Sequence, residues 1–380
     1  MKTTVFNYKN NQLESHVASQ PVVDDNVQLI MCFASKEILK AGEIYPMLRS
    51  RFSNAAITMC STAGEIYHDT VHDNSAVVVA MELEKTSVLT ASVNIQDYEN
   101  SYDAAIALAG LLPPDDLAYM MVFSDGSLVN GSELVKGLSE VAGKKVLVTG
   151  GLAGDGANFE STLVGLNEQP SSGKVVAIGF YGNHLVVKHG SQGGWDTFGL
   201  EKEITKSKDN VLFEINGKNA LELYKNYLGS YAQNLPGAAL LFPLEVTIPG
   251  SKTVIVRTIL SIDEEKKSMT FAGDVPTGSK VRLMKANFDR LTAAAATAAS
   301  HTVSKMTAMP DFALLVSCVG RKIILGTRTE EEVEAVSESF NYKTLLAGFY
   351  SYGEISPFNE DFSCQLHNQT MTITSFYELS

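Results

Sequence analysis

The chain has 380 residues and a formal net charge of −13, with 45% hydrophobic and 19% charged residues. This composition is typical of a soluble globular protein and excludes extended disorder. The acidic balance argues against nucleic acid and anionic membranes as partners, because both attract concentrated positive charge. No apolar window reaches the roughly 18 residues of a membrane span, and the N-terminus lacks the apolar core of a secretory signal. We therefore expect a cytoplasmic protein.

The four cysteines are Cys32, Cys60, Cys318 and Cys364, and each lies in or beside an apolar run. Their spacing contains neither a CxxC pair nor a dense disulfide framework. Free cysteine is among the most buried residue types, so reduced core thiols in a reducing compartment are the simplest interpretation. A soft metal ligand or a redox sensor among the four is the alternative.

An internal repeat becomes visible when the sequence is shifted by 90 residues, which places residues 26–65 on residues 116–155 without a gap. In both copies a short apolar run precedes a stretch with helical spacing, and a second run then ends in small residues. A looser third copy occupies residues 311–355. Each copy predicts a β–α–β–loop–β unit, and strands that alternate with helices favour an α/β fold of layered sheets.

Different material separates the second copy from the third. Residues 200–232 predict a strand, an Asn-Gly turn and a helix, while residues 238–286 predict an antiparallel β segment. Residues 287–306 are rich in alanine and predict a helix. We therefore divide the chain into an N-terminal extension, a domain with two repeat units, and a domain with the β segment, the alanine-rich helix and the third unit. The bounds of these three parts are 1–25, 26–198 and 199–380.

Each repeat unit ends in a glycine followed by an acid, in the sequences AGEI, AGDG and YGEI. Small residues after a buried strand allow a ligand or another backbone to come close, and open α/β sheets bind ligands at the carboxyl ends of strands. We expect these corners to line a small-ligand site; a tight structural turn is the alternative at each. The candidate ligand-binding residues of the three corners are Cys60, Ser61, Thr62, Glu65, Gly151, Asp155, Tyr352 and Glu354.

Four further candidate ligand-binding residues lie near the third unit, namely Cys318, Arg321, His367 and Asn368. Arg321 follows Cys318 at the end of a predicted strand, where it would either hold an anionic ligand group or pair with Glu354. His367 and Asn368 lie close to this corner, at the start of the predicted terminal strand.

Two histidines are candidate axial ligands of a metal centre. His367 is one, and His189 is the other, because it follows a strand and precedes a glycine-rich turn with Trp195, the only tryptophan. A hydrogen-bonded loop histidine is the alternative for each. The sequence contains no CxxCH attachment motif, so any haem would be bound non-covalently.

Known catalytic motifs are missing from the sequence. The GLAGDG segment lacks the Lys-Ser/Thr ending of a P-loop, and no GxSxG elbow is present. A hydrolase that uses Cys60 or Ser61 as its nucleophile stays an alternative, and it requires a base within hydrogen-bond reach.

Several segments, taken in order, resemble the signatures of the FIST family. They are CSTAGEI (60–66), GGLAGDG (150–156), TFAGDVPTGSKVRLM (270–284), SCVGR (317–321), GFYSYGEI (348–355) and LHNQT (366–370). The resemblance covers nearly the whole chain, as a FIST N-terminal domain followed by a FIST C-terminal domain. One difference is that this chain has HGSQGGW (189–195) where the family tends to have a compact His-Gly-Trp.

The resemblance implies a non-enzymatic sensory protein that binds a small ligand. Such a chain is similar to stand-alone bacterial nitric-oxide-sensing haemoproteins, which implies haem b as a cofactor and a histidine kinase or a cyclic-dinucleotide signalling protein as the partner. The near alternative is a sensor of a small organic metabolite such as an amino acid, with Arg321 and Glu354 holding its carboxylate and amine. A pure interaction scaffold is a third class, which would expose a broad apolar patch.

Overall fold

The repeat folds into three six-stranded sheets, and a fourth, eight-stranded sheet is built from the C-terminal half. The computed structural model describes residues 1–9, 11–16, 21–250, 254–304, 306, 308–357 and 364–379. None of the helices in this described part is long and apolar enough to cross a bilayer.

The strands of the first half are β1 (Lys2–Lys9), β2 (Gln12–His16), β3 (Leu29–Ala34), β4 (Ala56–Ser61), β5 (Glu65–Tyr67), β6 (Thr70–His72), β7 (Ala76–Glu82), β8 (Ser87–Asn94), β9 (Leu117–Ser124), β10 (Leu147–Leu152), β11 (Val164–Leu166), β12 (Lys174–Tyr181) and β13 (Leu185–Gln192). Those of the second half are β14 (Asp196–Lys208), β15 (Val211–Ile215), β16 (Lys218–Asn219), β17 (Leu244–Thr247), β18 (Val254–Arg257), β19 (Ile259–Asp263), β20 (Ser268–Phe271), β21 (Lys280–Lys285), β22 (Phe312–Cys318), β23 (Leu345–Ser351), β24 (Gly353–Pro357), β25 (Cys364–His367) and β26 (Met371–Glu378). The helices are α1 (Lys36–Ala41), α2 (Ile44–Arg51), α3 (Ser101–Gly110), α4 (Gly131–Ala142), α5 (Ala220–Leu228), α6 (Phe288–Val303), α7 (Val319–Leu325) and α8 (Thr329–Ser339).

Each repeat unit contributes the same three-stranded centre to its sheet. Two parallel strands are joined through helices, and a third strand pairs antiparallel with the first; the three sets are β3, β4 and β7, then β9, β10 and β12, then β22, β23 and β26. Strands β3 and β22 are buried along their whole length. Burial on both faces explains why they read as unbroken apolar runs instead of alternating ones.

The three sheets are linked by an exchange of strands that the sequence did not predict. After its second parallel strand each unit sends its next strand into a neighbouring sheet, so that β5 pairs with β23, β11 with β4 and β24 with β10. The exchange closes into a cycle, because the first unit donates to the third, the third to the second and the second to the first. Phe33, Phe123 and Phe349, one from each unit, meet in the shared interior with ring centroids 4.9–6.0 Å apart.

The helical stretch of the first unit is divided into two helices. Ser35 caps α1 by accepting a hydrogen bond from the N–H of Ile38 at 3.4 Å. Gly42 then ends α1 with a φ of +79°, a left-handed conformation that glycine adopts without steric cost. The sequence predicted one helical stretch here, and the C-terminal glycine cap is the reason that there are two.

The segment between the second and third units matches its prediction. Asn216 and Gly217 both have positive φ, at +50° and +68°, and connect β15 to β16 as a tight hairpin. The alanine-rich stretch forms α6, whose buried face is mostly alanine. The predicted α/β class, with repeated units and an antiparallel C-terminal segment, is confirmed. The predicted domain border at 198–199 falls inside β14, and the domain bounds stay a prediction.

Gly348 provides a test of the close approach between the parallel strands of the third unit. A Cβ added there would lie 1.8 Å from the carbonyl oxygen of Leu315 on β22, so the strands must separate. We expect Gly348→Ala to lower the free energy of unfolding by about 3 kcal/mol, at the upper end of overpacking costs. Thermal and denaturant unfolding measure this change.

Gly110, at the end of α3, is the matched control because an added Cβ there meets nothing within 4 Å. Gly110→Ala should leave stability unchanged or raise it by about 0.5–1 kcal/mol, the difference in helix propensity. Equal stability of the two variants would contradict the close strand approach.

Candidate functional site

The acids of the three corners lie inside the protein, where each accepts hydrogen bonds from its own unit or a neighbouring one. Glu354 accepts from Ser351 Oγ at 2.8 Å and from the N–H and Oγ1 of Thr370 at 3.1 and 2.8 Å. Glu65 repeats this pattern with the hydroxyl of Thr62 and with the N–H and Oγ of Ser75, the latter two at 3.1 and 2.7 Å. Both carboxylates therefore close turns between sheets, which is the structural alternative stated for these corners.

Burial changes the protonation of these two acids. It raises the pKa of Glu354 to about 8, even though Thr370 and Ser351 donate hydrogen bonds to it. It raises the pKa of Glu65 to about 7 against similar bonds from Ser75 and Thr62. Desolvation disfavours the charged form more than the hydrogen bonds favour it.

Asp155 holds the second corner through an ion pair and several backbone groups. Its Oδ2 lies 3.1 Å from Lys36 Nζ, and the hydroxyl of Tyr352 donates to Oδ1. The N–H of Phe159 donates to Oδ1 at 2.9 Å, and the ring of Phe159 stacks on Tyr352 with centroids 4.7 Å apart. Burial raises the pKa of Asp155, but these bonds outweigh it and bring the pKa below its usual value.

The remaining candidates of the first two corners are packing residues in this structure. Cys60 is buried, and burial raises the pKa of its thiol well above the usual value. Ser61 Oγ accepts a hydrogen bond from the N–H of Leu163 at 2.9 Å, and among the described residues neither a histidine nor a carboxylate hydrogen-bonds it. A Cβ on Gly151 would lie 2.7 Å from a methyl group of Val316, so that glycine allows core packing. Within the described part of the chain, the hydrogen bonds of Ser61 thus include no base, and the Cys60 thiol stays in its protonated form.

Arg321 is fully buried, and its partner is Glu332 instead of Glu354. Its Nε and Nη2 lie 2.9 and 2.7 Å from Glu332 Oε2, while Nη1 donates to the carbonyl of Gly193 at 2.5 Å and Nη2 to that of Leu291 at 2.9 Å. Glu332 Oε1 also accepts from Ser317 Oγ and Tyr350 OH. The expected pair of Arg321 with Glu354 is therefore wrong. Protein groups also occupy the guanidinium that was expected to hold a ligand carboxylate. The sequence missed Glu332 because it lies in the acid-rich first turns of α8.

A cavity of about 810 Å³ lies between β13, the edge strand β18 and the C-terminal end of α6. Three of the residues predicted from the sequence line it, namely His189, His367 and Asn368. The other candidates do not line this cavity. His189 and Trp195 both line it despite the longer HGSQGGW segment, because that segment turns back on the same wall.

Two histidines of this cavity, His189 and His367, are neutral at pH 7. Burial lowers the pKa of His189 to about 4, with a further contribution from the charge of Lys188. Burial also lowers the pKa of His367 to about 4. The Nε2 of His367 lies 2.9 Å from the carbonyl oxygen of Ser356, and Nδ1 lies 3.5 Å from Ser191 Oγ.

Two polar atoms beside the cavity lack protein partners. Asn368 donates to the carbonyl of His367, but its Oδ1 is buried and makes no hydrogen bond with the described residues. The Nδ1 of His189 is also buried and makes no hydrogen bond with the described residues. Buried polar groups usually have a partner, so these two atoms mark where a guest molecule or water would bind.

Sequence analysis missed several lining residues, among them Lys188, Ser191 and Thr370. They come together because β13 pairs with β26, which places Ser191 opposite Thr372. The partners are about 180 residues apart in the chain, and no local pattern reports such a pairing. The only local signal was the polar and glycine-rich HGSQGG, whose first four residues form the end of β13 instead of following a strand as predicted.

Haem can be tested against both candidate histidines. His367 does not fit an axial role, because Nε2 meets a carbonyl, Nδ1 faces a hydroxyl and the side chain is buried. His189 does fit, since its Nδ1 has no partner among the described residues and its ring is neutral. Among the described residues, no group of three or more His, Cys, Asp or Glu could hold a metal ion.

Comparisons with known proteins agree with the order of the signature segments. The family model of the FIST N domain matches residues 28–218, and that of the FIST C domain matches residues 220–357. The chain belongs to the FIST family. The family expected from the signature segments is therefore confirmed, while no curated protein matches the sequence of this FIST chain.

Solved structures give only a remote likeness. A cyanuric acid hydrolase from A. caulinodans is 7% identical over 100% of this FIST chain and 99% of its own, with a TM-score of 0.36. A chorismatase is 10% identical over 98% of both chains, with a TM-score of 0.38. A second cyanuric acid hydrolase is 9% identical over 99% of both chains, with a TM-score of 0.32. Scores this low carry no argument about the fold or the activity.

The ion pair of Arg321 with Glu332 generates a stability prediction. Arg321→Met should lower the free energy of unfolding by about 3–5 kcal/mol, because it leaves a buried carboxylate without its cation. The double variant Arg321→Met/Glu332→Leu should be more stable than the single one, since it removes both charges. Denaturant unfolding checks this order, and a double variant less stable than Arg321→Met would contradict it.

The buried acid Glu354 generates a pH prediction. Its pKa is raised from 4.5 to about 8, so the folded protein retains a proton that the unfolded chain loses. Stability should therefore fall as the pH rises from about 5 to about 8. Glu354→Gln should reduce this fall, because a neutral amide replaces the titrating group. Exposed Glu334 on α8 is the control, and a Glu334→Gln variant that flattens the pH profile equally would contradict the assignment.

Proposed function

We propose that this FIST protein is a bacterial sensory protein that binds a small organic ligand in the 810 Å³ cavity and alters a signalling partner. The observation that supports the proposal is the cavity itself, with two unpartnered polar atoms at its wall. Its volume is within the range of roughly 300–1,000 Å³ that suits small molecules. A FIST N domain followed by a FIST C domain supports the sensory role.

The chemistry of the wall favours a planar ligand that carries negative charge for Lys188 and a hydrogen-bond donor for Asn368 Oδ1. The described lining contains Lys188, three imidazoles and the Trp195 indole, and no Asp or Glu is found among the described lining residues. A cation and aromatic rings attract anionic and flat guests respectively. This ligand class replaces the amino acid held by Arg321 and Glu354, whose charged groups are engaged elsewhere.

A path for signal transmission starts at the cavity rim. Gly193 lines the cavity, and its carbonyl is held by Arg321, which in turn bonds Glu332 of α8. A ligand that binds one position of this rim more tightly shifts the population of states, and α8 moves with the rim. A histidine kinase or a cyclic-dinucleotide signalling protein that contacts α8 would detect that shift.

Haem is a second candidate ligand, favoured by the unpartnered Nδ1 of His189 alone. Bound there, haem would supply an iron whose open face takes a diatomic gas such as nitric oxide. His189 would hold the iron as a neutral imidazole, and Lys188 would face the propionate groups as their cation. Valine side chains and Met284 would exclude water from one side of the ring.

A thermal-shift screen tests ligand binding. Purified protein is mixed separately with small aromatic carboxylates, with their uncharged amides and with haem. We expect either an aromatic carboxylate or haem to raise the Tm. A ligand at 100 times its Kd adds about 2.7 kcal/mol to the folded state. His189→Ala should lose the shift, while His184→Ala, which removes an imidazole outside the cavity lining, should keep it.

Visible spectroscopy separates the two candidates. A Soret band that His189→Ala abolishes and His367→Ala retains would assign haem to His189. A Tm that no compound raises, or one that rises equally in His189→Ala and the original protein, would overturn the proposed ligand site.

A further inference from the structure

Ser191 and His367 meet at the wall of the cavity although they come from distant parts of the chain. Ser191 lies on β13 and His367 ends β25, and both line the cavity. Ser191 Oγ is 3.5 Å from His367 Nδ1 and 3.2 Å from Thr372 Oγ1. A hydroxyl that is open to a cavity and adjacent to an imidazole nitrogen is the arrangement of a serine nucleophile and its base.

The protons of this cluster have a definite order. The carbonyl of Ser356, 2.9 Å from His367 Nε2, can only accept, so Nε2 carries the proton of the neutral ring. Nδ1 is therefore an acceptor, and the Ser191 hydroxyl donates to it. The Thr372 hydroxyl then donates to Ser191 Oγ, since the proton of Ser191 is already used. The carbonyl of Ser356 fixes the tautomer, as the buried carboxylate does in a hydrolase triad.

Two side-chain hydrogen bonds flank the turn after Ser191. Arg321 Nη1 donates to the Gly193 carbonyl at 2.5 Å, and Trp195 Nε1 donates to the carbonyl of Gln369 at 2.8 Å. A Cβ on Gly194 would lie 2.4 Å from the carbonyl of Arg290, so the turn packs directly on α6. A site whose groups are fixed in advance loses little free energy to reorganisation during reaction.

We propose that Ser191, with His367 as its general base, is a nucleophile toward small activated esters that enter the cavity. Ser191 Oγ forms a bond to the acyl carbon, and its proton passes to His367 Nδ1. The bond between that carbon and the leaving oxygen breaks, and the leaving group takes the proton from His367. Water then attacks the acyl-serine by the same route and releases the acid. This activity goes beyond ligand sensing and uses the same cavity.

The lining suits the negative charge that develops on the ester oxygen. Lys188 and His301 line the cavity, and the described lining contains no carboxylate that would repel the charge. Preorganised positive charge and N–H dipoles stabilise such an oxygen. The valines of the lining favour apolar acyl groups.

A covalent probe tests the proposal directly. Diisopropyl fluorophosphate, which forms an Oγ–P bond with loss of fluoride, is incubated with the full chain, and peptide mapping by mass spectrometry locates the adduct. We expect one adduct, on Ser191, and none in Ser191→Ala. The control Ser300→Ala, an exposed serine of α6 outside the cavity lining, should be labelled like the original protein.

A second variant tests the base. His367→Gln should slow labelling at least tenfold while Ser191 remains present, with far-UV circular dichroism and Tm reporting whether the fold survives. If that variant unfolds, the comparison of adducts between the original protein and Ser191→Ala still tests whether Ser191 is the nucleophile. Absence of an adduct, or an adduct at another serine, would overturn the nucleophile. An unchanged rate in folded His367→Gln would overturn the role of the base. Labelling needs no bound ligand, so its outcome is separate from that of the thermal-shift screen.

Discussion

The closed exchange of β5, β11 and β24 among three sheets is the constraint on which the rest of the structure depends. Each exchange turns the chain sharply inside the protein, where backbone N–H groups would otherwise lose their partners at a considerable energetic cost. A buried acid at each turn accepts those groups together with neighbouring hydroxyls. The glycine-plus-acid signatures are thus explained by architecture, and the cavity lies beside one of them.

The third corner connects this architecture to the cavity. Glu354 holds Thr370, which lines the cavity together with Asn368, and the intervening Gln369 accepts the indole N–H of Trp195 through its carbonyl. The opposite rim is held at Gly193 by Arg321. Two buried polar side chains, Glu354 and Arg321, therefore hold two walls of one cavity. Such preorganisation lowers the ordering cost of binding.

Local patterns in the sequence predicted the units, the Asn216–Gly217 hairpin and α6, because periodicity and turn chemistry are properties of neighbouring residues. Those patterns could not predict the exchange of strands, because the sequence of a three-residue strand such as β5 does not indicate which sheet it joins. The partner of Arg321 was missed for a similar reason: Glu332 is one of several acids in α8, and only packing selects it. His189, His367 and Asn368 were predicted individually, whereas Ser191 required the pairing of β13 with β26.

Each of the three six-stranded sheets contains a strand from another unit, so the three units are interlocked and do not fold as separate modules. Separating the chain near the FIST N and FIST C border would divide two of the three six-stranded sheets, and the eight-stranded sheet as well, and leave unpaired edges open to self-association. The cycle of exchanged strands can close only after the last unit has emerged from the ribosome. Until the third unit has been synthesised, the exchange of strands between the units therefore stays incomplete.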